Sequence, residues 1–321
     1  MLDSRNLKSP YRDWTRAPER GSSWLLSVIV RIARSMPRPL VRLLLYPIVA
    51  YFVAFSPKQV AASRSFLWRA LNRTPSMREV FEHYLTFARM VLDRVYWLSR
   101  APHGIEVEIH GAEAVSRAMA GSACGAVIIS AHFGSFEALR AAGEQFSERR
   151  IRPLMYVSNA TKIQRVLDAV NSDLSRDVIF AGRVDTMITI RDALAHGDFV
   201  GILADRAPFE ERGMWAKFMG QPALFPVGAY RLAALLDVPV FFACAVLDGE
   251  KYKVFFESLN SPGRATSREE RLRWVKEQVE SFAQHLERYA RAFPFNWFNF
   301  YDFWQSTAPS EPREESGALR Q

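Results

Sequence analysis

The sequence predicts an α/β protein with a mostly parallel central sheet that is flanked by helices. Two short apolar runs, AVIIS at 126–130 and FVGIL at 199–203, have the length and composition of strands that are buried on both faces. Stretches with helical periodicity alternate with such runs, and this is the order that a parallel sheet requires. The 321-residue chain is 49% hydrophobic, so it has enough apolar material to cover the sheet.

The N-terminal third is both basic and apolar. Residues 1–100 contain 17 Lys and Arg against 6 Asp and Glu, whereas the whole chain carries a net charge of +8. Between residues 24 and 57, long apolar stretches are punctuated by Arg31, Arg34, Arg38 and Arg42. Anionic lipid surfaces attract a cationic fringe beside an apolar face, so we predict a membrane lipid surface as a partner and no nucleic acid.

The longest uncharged run in this region, residues 43–57, is too short for a straight spanning helix. It contains Pro47 and is about 15 residues long, where a span needs about 20. We therefore predict a shallow anchor at residues 40–56, within a helical membrane-associating region at 23–100; a buried core helix is the alternative. The run starts late and lacks a clear cleavage site, so a secretory signal is not expected.

Residues 101–305 are predicted to form the α/β domain, packed with the preceding helices as one unit. A strand with alternating polarity begins near residue 105, the buried strand AVIIS comes next, and an Ala/Leu-rich helix follows. A second unit runs from a helix at 188–194 through FVGIL to a helix ending near 235 and a strand at 238–246. Residues 1–22 and 306–321 are polar and are predicted to be loose termini.

A histidine and a glutamate flank the turn after the first buried strand. The turn reads AHFGSFE, which puts His132 at the carboxyl end of a strand, where open α/β sheets bind their ligands. An imidazole there can act as general base on a hydroxyl, and a carboxylate on its other ring nitrogen would fix its tautomer. The H-x4-E spacing predicts that Glu137 returns to His132, while Gly134 permits the turn and leaves room for substrate. A structural, hydrogen-bonded histidine is the alternative.

The second buried strand also ends on charged residues, Asp205 and Arg206. Arg206 is predicted to hold a phosphate or to stabilise the oxyanion of a tetrahedral intermediate, together with backbone amides near Gly134. An ordinary surface ion pair is the alternative. Arg183 and Lys162 are further candidates for contacts with phosphate groups of a donor or acceptor.

Several other chemistries lack their signatures. The sequence has no H-x3-H or H-E-x-x-H spacing, no phosphate-binding glycine loop and no G-x-S-x-G elbow, so we predict neither a metal nor another cofactor. The two cysteines, Cys124 and Cys244, lie in apolar runs without metal-ligand spacing and are predicted to be small core residues in a reducing compartment.

An ordered set of motifs extends over roughly residues 24–304. It comprises His132-x4-Glu137 after a buried strand, LADR at 203–206, FMGQPA at 218–223, FPVG at 225–228 and VPV at 238–240. With these motifs the chain resembles the lysophospholipid acyltransferase superfamily, in the branch of bacterial lipid A late acyltransferases and their relatives in specialised lipid or aryl-polyene synthesis. Two features depart from the lipid A enzymes: the apolar helix is less clean, and the C-terminal segment reads NFYDFW rather than being basic and Trp-rich.

The resemblance implies an acyltransferase at the cytoplasmic face of the bacterial inner membrane. It implies His132 as the base, Glu137 as its partner, Asp205 and Arg206 near the site, and acyl carrier protein or coenzyme A as the carrier of the fatty acyl group. A thioesterase with the same pair of residues and a non-catalytic membrane-associated protein are the alternatives.

The segment from residue 293 to 304 carries eight aromatic residues. So many aromatic side chains are not expected on an exposed segment. The sequence leaves three interpretations open, namely the lining of an acyl-chain tunnel, a belt at the membrane interface, or a seal over the core.

Overall fold

The structure, a computed structural model, describes residues 38–98, 104–146, 149–156, 177–206, 213–259 and 267–304. Within these ranges the helices are α1 (Arg38–Leu43), α2 (Leu45–Phe55), α3 (Pro57–Leu71), α4 (Met77–Leu98), α5 (Ala112–Ala118), α6 (Phe136–Phe146), α7 (Thr186–Ala195), α8 (Gly228–Leu236) and α9 (Arg268–Ala292). The strands are β1 (Val107–His110), β2 (Val127–Ser130), β3 (Ile151–Tyr156), β4 (Ile179–Ala181), β5 (Phe199–Leu203), β6 (Gly213–Phe218), β7 (Gln221–Pro226), β8 (Val240–Asp248) and β9 (Lys251–Ser258).

Seven strands form one sheet in the order β1-β9-β8-β2-β5-β3-β4. All neighbouring pairs in this described sheet are parallel except the hairpin of β8 and β9. Helices cover the sheet, and every residue of the central strand β2 is buried, as the apolar run predicts. The predicted mostly parallel sheet flanked by helices is confirmed.

Strands β6 and β7 form a separate antiparallel hairpin within the FMGQPA and FPVG region. Its two turn residues, Met219 and Gly220, both have positive φ values, 52° and 81°, which is the geometry of a two-residue hairpin turn. The Met219 amide donates to Glu287 Oε2 at 2.6 Å, so helix α9 holds this turn against the body of the protein.

The N-terminal helices present an apolar surface. Helices α1 and α2 together form one apolar stretch, Arg38–Phe55, that is long enough by length and composition to cross a membrane, and 22% of it is buried. The alternative of a buried core helix is therefore wrong for this stretch. Most of its large side chains are exposed, and Leu43 and Phe55 reach 62% and 61%.

A buried ion cluster joins this apolar stretch to the sheet. Asp93 of α4 is fully buried and accepts from Arg38 (2.7 Å), Arg42 (2.8 Å) and the Tyr252 hydroxyl of β9 (3.0 Å). Arg42 also pairs with Glu250. The expected cationic fringe is thus partly internal: these two arginines bind Asp93, while Arg31 and Arg34 lie outside the described residues.

The helix α9 begins with a capping box, in which Ser267 and Glu270 satisfy each other's backbone amides. One face of the helix is buried and includes Trp274, Phe282 and Leu286. Beyond α9 the aromatic segment packs into the core, where Trp297 is fully buried, so it seals the core as one interpretation proposed. Cys244 is buried as predicted, but Cys124 is exposed because it lies in the loop between α5 and β2.

Candidate active site

The sheet register places His132 beside Asp205. Strands β2 and β5 are parallel neighbours, and Ser130 pairs with Leu203. His132 and Asp205 each follow their paired residue by two positions, so both arrive at the same carboxyl edge of the sheet. This edge is where parallel sheets bind ligands.

Asp205 makes two contacts with His132. Its Oδ1 lies 2.8 Å from His132 Nδ1 and accepts the His132 backbone amide at 3.1 Å. An ionised carboxylate can only accept, so Nδ1 carries the proton and Nε2 holds the free lone pair of the neutral ring. Among the described residues Nε2 has no hydrogen-bond partner, and the side chain is 37% exposed. The pair therefore presents a basic nitrogen to the surface.

The surroundings favour a neutral histidine and an ionised aspartate. Burial lowers the pKa of His132, the charge of Arg206 lowers it further, and Asp205 opposes both. Burial alone would raise the pKa of Asp205, but the charges of His132 and Arg206 and hydrogen bonds from His132 and Trp297 hold it well below its usual range. A general base needs this arrangement, because it must be unprotonated at neutral pH.

Two further donors hold the second carboxylate oxygen. The indole Nε1 of Trp297 donates to Asp205 Oδ2 at 3.1 Å, and Arg206 Nη2 lies 3.4 Å from the same oxygen. Arg206 also donates to the Phe298 carbonyl at 3.1 Å and lies over the Tyr301 ring. Arg206 is thus part of an ion pair, as one alternative proposed, but the pair is internal because the Asp205 side chain is fully buried.

The loop after β2 is fixed by its backbone. Gly134 has φ +78°, and a Cβ there would lie 1.8 Å from the Ala245 carbonyl oxygen, so this close approach requires glycine. The Gly134 amide donates to the Asn296 carbonyl at 2.9 Å, and the Ser135 amide donates to the Ala245 carbonyl at 2.8 Å. Both amides therefore already have acceptors in this structure, and an oxyanion role for amides near Gly134 stays a prediction.

Glu137 does not contact His132 in the part of the chain that the structure describes. It lies in the first turn of α6, where Oε1 is 2.5 Å from Arg94 Nε of α4 and Oε2 accepts from the Ser135 hydroxyl at 3.4 Å. The expectation that H-x4-E spacing returns the carboxylate to the imidazole is not met, because the helix starts at once and directs the side chain towards α4. Asp205 makes that contact instead.

Of the two phosphate-contact candidates the structure describes one, Arg183, and it does not bring Arg183 to this pair. Arg183 follows the edge strand β4, is exposed and pairs with Asp185 at 3.2 Å. Strand β3 separates β4 from β5, so Arg183 lies roughly two strand spacings, about 10 Å, from the end of β5. Lys162 lies outside the described residues.

Trp297 also contacts this pair, although the sequence did not predict it as a site residue. Its only signal was membership of an aromatic-rich segment, and nothing along the chain relates residue 297 to residue 205. Within the described residues no group of three or more His, Cys, Asp or Glu could hold a metal ion.

Comparisons with known proteins give one family. The sequence profile described as "Bacterial lipid A biosynthesis acyltransferase" matches residues 12–305. No curated protein matches the chain significantly. Among solved structures the chain is similar to the 1-acyl-sn-glycerophosphate (LPA) acyltransferase PlsC from Thermotoga maritima, with 16% identity over 78% of this chain and 98% of that chain and a TM-score of 0.36. The profile covers nearly the whole chain, including His132 and Asp205, and the chain therefore belongs to the bacterial lipid A biosynthesis acyltransferase family and is a lipid acyltransferase.

Proposed function

We propose that the protein is an O-acyltransferase that moves a fatty acyl group from a thioester to a hydroxyl of a lipid or glycolipid-like acceptor. The acyl donor is a thioester of acyl carrier protein or of coenzyme A. The observation that carries this proposal is the imidazole–carboxylate pair, in which Asp205 holds Nδ1 of His132 and Nε2 is left with a free lone pair. An alcohol needs such a base before it can attack a thioester at neutral pH.

In the proposed reaction His132 Nε2 removes the proton of the acceptor hydroxyl as the oxygen attacks the thioester carbonyl. The tetrahedral intermediate then collapses, the C–S bond breaks, and the leaving thiolate takes the proton from Nε2. Asp205 stabilises the imidazolium that exists between these steps. Arg206 maintains the ionised state of Asp205 and lowers the proton affinity of the resting base.

Glu137 remains a site residue in this proposal, with a secondary role. It begins the helix that follows the base, and its partner Arg94 is partly exposed, so an incoming charged group can displace this ion pair. We expect Glu137→Gln to lower activity less than Asp205→Asn, which should lower it by roughly 10²–10⁴-fold. If Glu137→Gln lowers activity more than Asp205→Asn does, Glu137 rather than Asp205 is the functional partner of the imidazole.

The acyl-transfer assay separates the candidate activities. Purified protein is incubated with a palmitoyl thioester of coenzyme A or of acyl carrier protein, with and without a vesicle of lipids bearing free hydroxyls, and both free thiol and acylated lipid are measured. Acyl transfer that is lost in His132→Ala and kept in His196→Ala, an exposed histidine on another edge of the protein, supports the proposal. Equal thiol release without any acceptor indicates a thioesterase, and unchanged transfer in His132→Ala contradicts a catalytic histidine.

We further propose that the exposed face of α1 and α2 lies shallowly in the cytoplasmic face of the bacterial inner membrane. The exposed Leu43 and Phe55 support this, because burying such side chains in lipid is favourable. The double variant Leu43→Ser, Phe55→Ser should bind anionic vesicles less tightly in a flotation assay. Leu235→Ser, which changes an exposed leucine on α8, is the control, and equal loss in both would contradict a specific anchor.

A further inference from the structure

We propose that Trp297 is a positioning residue for the base, and that its indole N–H fixes the carboxylate that orients His132. This inference rests on the proposed function of His132. Asp205 Oδ1 is fully engaged by His132, so the orientation of the carboxylate depends on what holds Oδ2. The Trp297 donor is at 3.1 Å, whereas the Arg206 donor is at 3.4 Å.

Trp297 belongs to a short segment, residues 296–299, which we call the C-terminal strap. The strap runs antiparallel to the loop that carries the base: Trp297 bridges with Phe133, and the Phe298 amide donates to the His132 carbonyl at 2.9 Å. The Asn296 side chain accepts the Leu247 amide at 2.8 Å, which ties the strap to β8. The strap therefore holds the backbone of His132 and the side chain of Asp205 together.

A buried histidine secures the strap from the opposite side. His83 of α4 lies 2.9 Å from the Trp297 carbonyl through Nε2 and 2.8 Å from the Ser63 hydroxyl through Nδ1. A carbonyl can only accept, so Nε2 donates and Nδ1 accepts from Ser63. The Trp297 ring is enclosed by aromatic rings, among them Phe66 at 4.9 Å and Phe218 at 5.2 Å. These contacts leave the indole little freedom to move away from Asp205.

Removal of the indole N–H should therefore loosen the carboxylate while the aromatic packing remains. Without Trp297 the Arg206 guanidinium becomes the sole side-chain donor to Oδ2 among the described residues, and the carboxylate can rotate towards it and away from Nδ1. Since misorientation of a base acts on the chemical step, we expect Trp297→Phe to lower kcat by roughly tenfold with little change in KM.

Trp304→Phe is the matched control. Trp304 lies in the same aromatic cluster, 6.1 Å from Trp297, and stacks on Phe218, but its buried Nε1 has no hydrogen-bond partner within the described residues. Both substitutions remove an indole in the same surroundings, and they differ in the hydrogen bond to Asp205. Trp304→Phe should keep kcat within about twofold of the parent, since it removes packing alone. Equal loss of kcat in the two variants would overturn the proposal.

A double-mutant cycle with Asp205→Asn then tests whether Trp297 acts through Asp205. With the carboxylate present, Trp297→Phe should cost roughly tenfold; in the Asp205→Asn background it should cost less than about threefold, because the group to be oriented is gone. The same fold loss in both backgrounds would show a general structural role and overturn the inference. Full activity of Asp205→Asn alone would instead remove the proposed mechanism, so the two failures are distinguishable.

Discussion

His83 makes the stability of the fold sensitive to pH. It is fully buried beneath the C-terminal strap, and burial lowers its pKa from 6.5 to about 4, although the hydrogen bond to the Trp297 carbonyl opposes this shift. Well above pH 6.5 the ring is neutral in the folded and unfolded chain alike. Between pH 6.5 and 4 the unfolded chain binds a proton at this ring and the folded protein does not. The folded state therefore loses stability as the pH falls through this range.

The size of the effect follows from the two pKa values. One pKa unit corresponds to about 1.4 kcal/mol, so the complete shift is worth about 3 kcal/mol. Between pH 7 and pH 4.5 most of it, about 2 kcal/mol, should be lost. The variant His83→Gln keeps a donor for the Trp297 carbonyl and an acceptor for Ser63 but carries no titratable group, so it should lack this loss.

Urea unfolding followed by tryptophan fluorescence at pH 7.0 and 4.5 measures the difference. Other groups titrate in this range too, so the quantity of interest is the pH-dependent change in the parent minus that in His83→Gln. The exposed His196→Gln variant should follow the parent. If the parent and His83→Gln lose the same unfolding free energy on acidification, His83 is not a buried neutral histidine. The proposed hydrogen bond from a neutral His83 to the Trp297 carbonyl would then be wrong.

Three further predictions concern the site and its support. The value of kcat/KM should rise with pH through a pKa below 6.5 and level off at neutral pH. Arg206→Gln should move this rise to higher pH, because it removes a positive charge that disfavours the imidazolium. An unchanged pH profile in this variant would contradict that electrostatic role. Gly134→Ala should cost more than about 2 kcal/mol of unfolding free energy, whereas Gly220→Ala, with a similar positive φ but open space around its Cβ, should cost less in the same urea assay. Asp93→Asn should destabilise the protein by about 3–5 kcal/mol in urea unfolding at pH 7, since two arginines lose a buried counter-charge; a loss below 1 kcal/mol would show that solvent replaces it.

Much of the fold follows from local patterns in the sequence. The strand expected at 199–203 has the predicted bounds, because a continuous apolar run marks it in the sequence. The hairpin of β6 and β7 has no such signal. Its turn requires a positive φ at Met219, a residue type that rarely takes it, and the contact with Glu287 that stabilises it comes from a distant helix.

The site was predicted in part. The strand-end rule put both His132 and Asp205 at one edge of the sheet, and the structure brings them into contact. Which carboxylate contacts His132 depends on the order of the strands in the sheet. Neither apolar run carries information about that order. Glu137 is nearer along the chain, but the early start of α6 sends its side chain to Arg94. Short spacing in sequence thus favoured a carboxylate that does not contact His132 over one that only the sheet register brings close.

The position of the strap late in the chain has a consequence for biosynthesis. A ribosome releases the apolar helices α1 and α2 first, then the strand that leads to His132, and the strap only after the whole sheet has been made. On the proposed mechanism, a nascent or truncated chain can reach the membrane while its base still lacks an oriented carboxylate. On that mechanism, membrane attachment would precede the orientation of the base during synthesis of the chain.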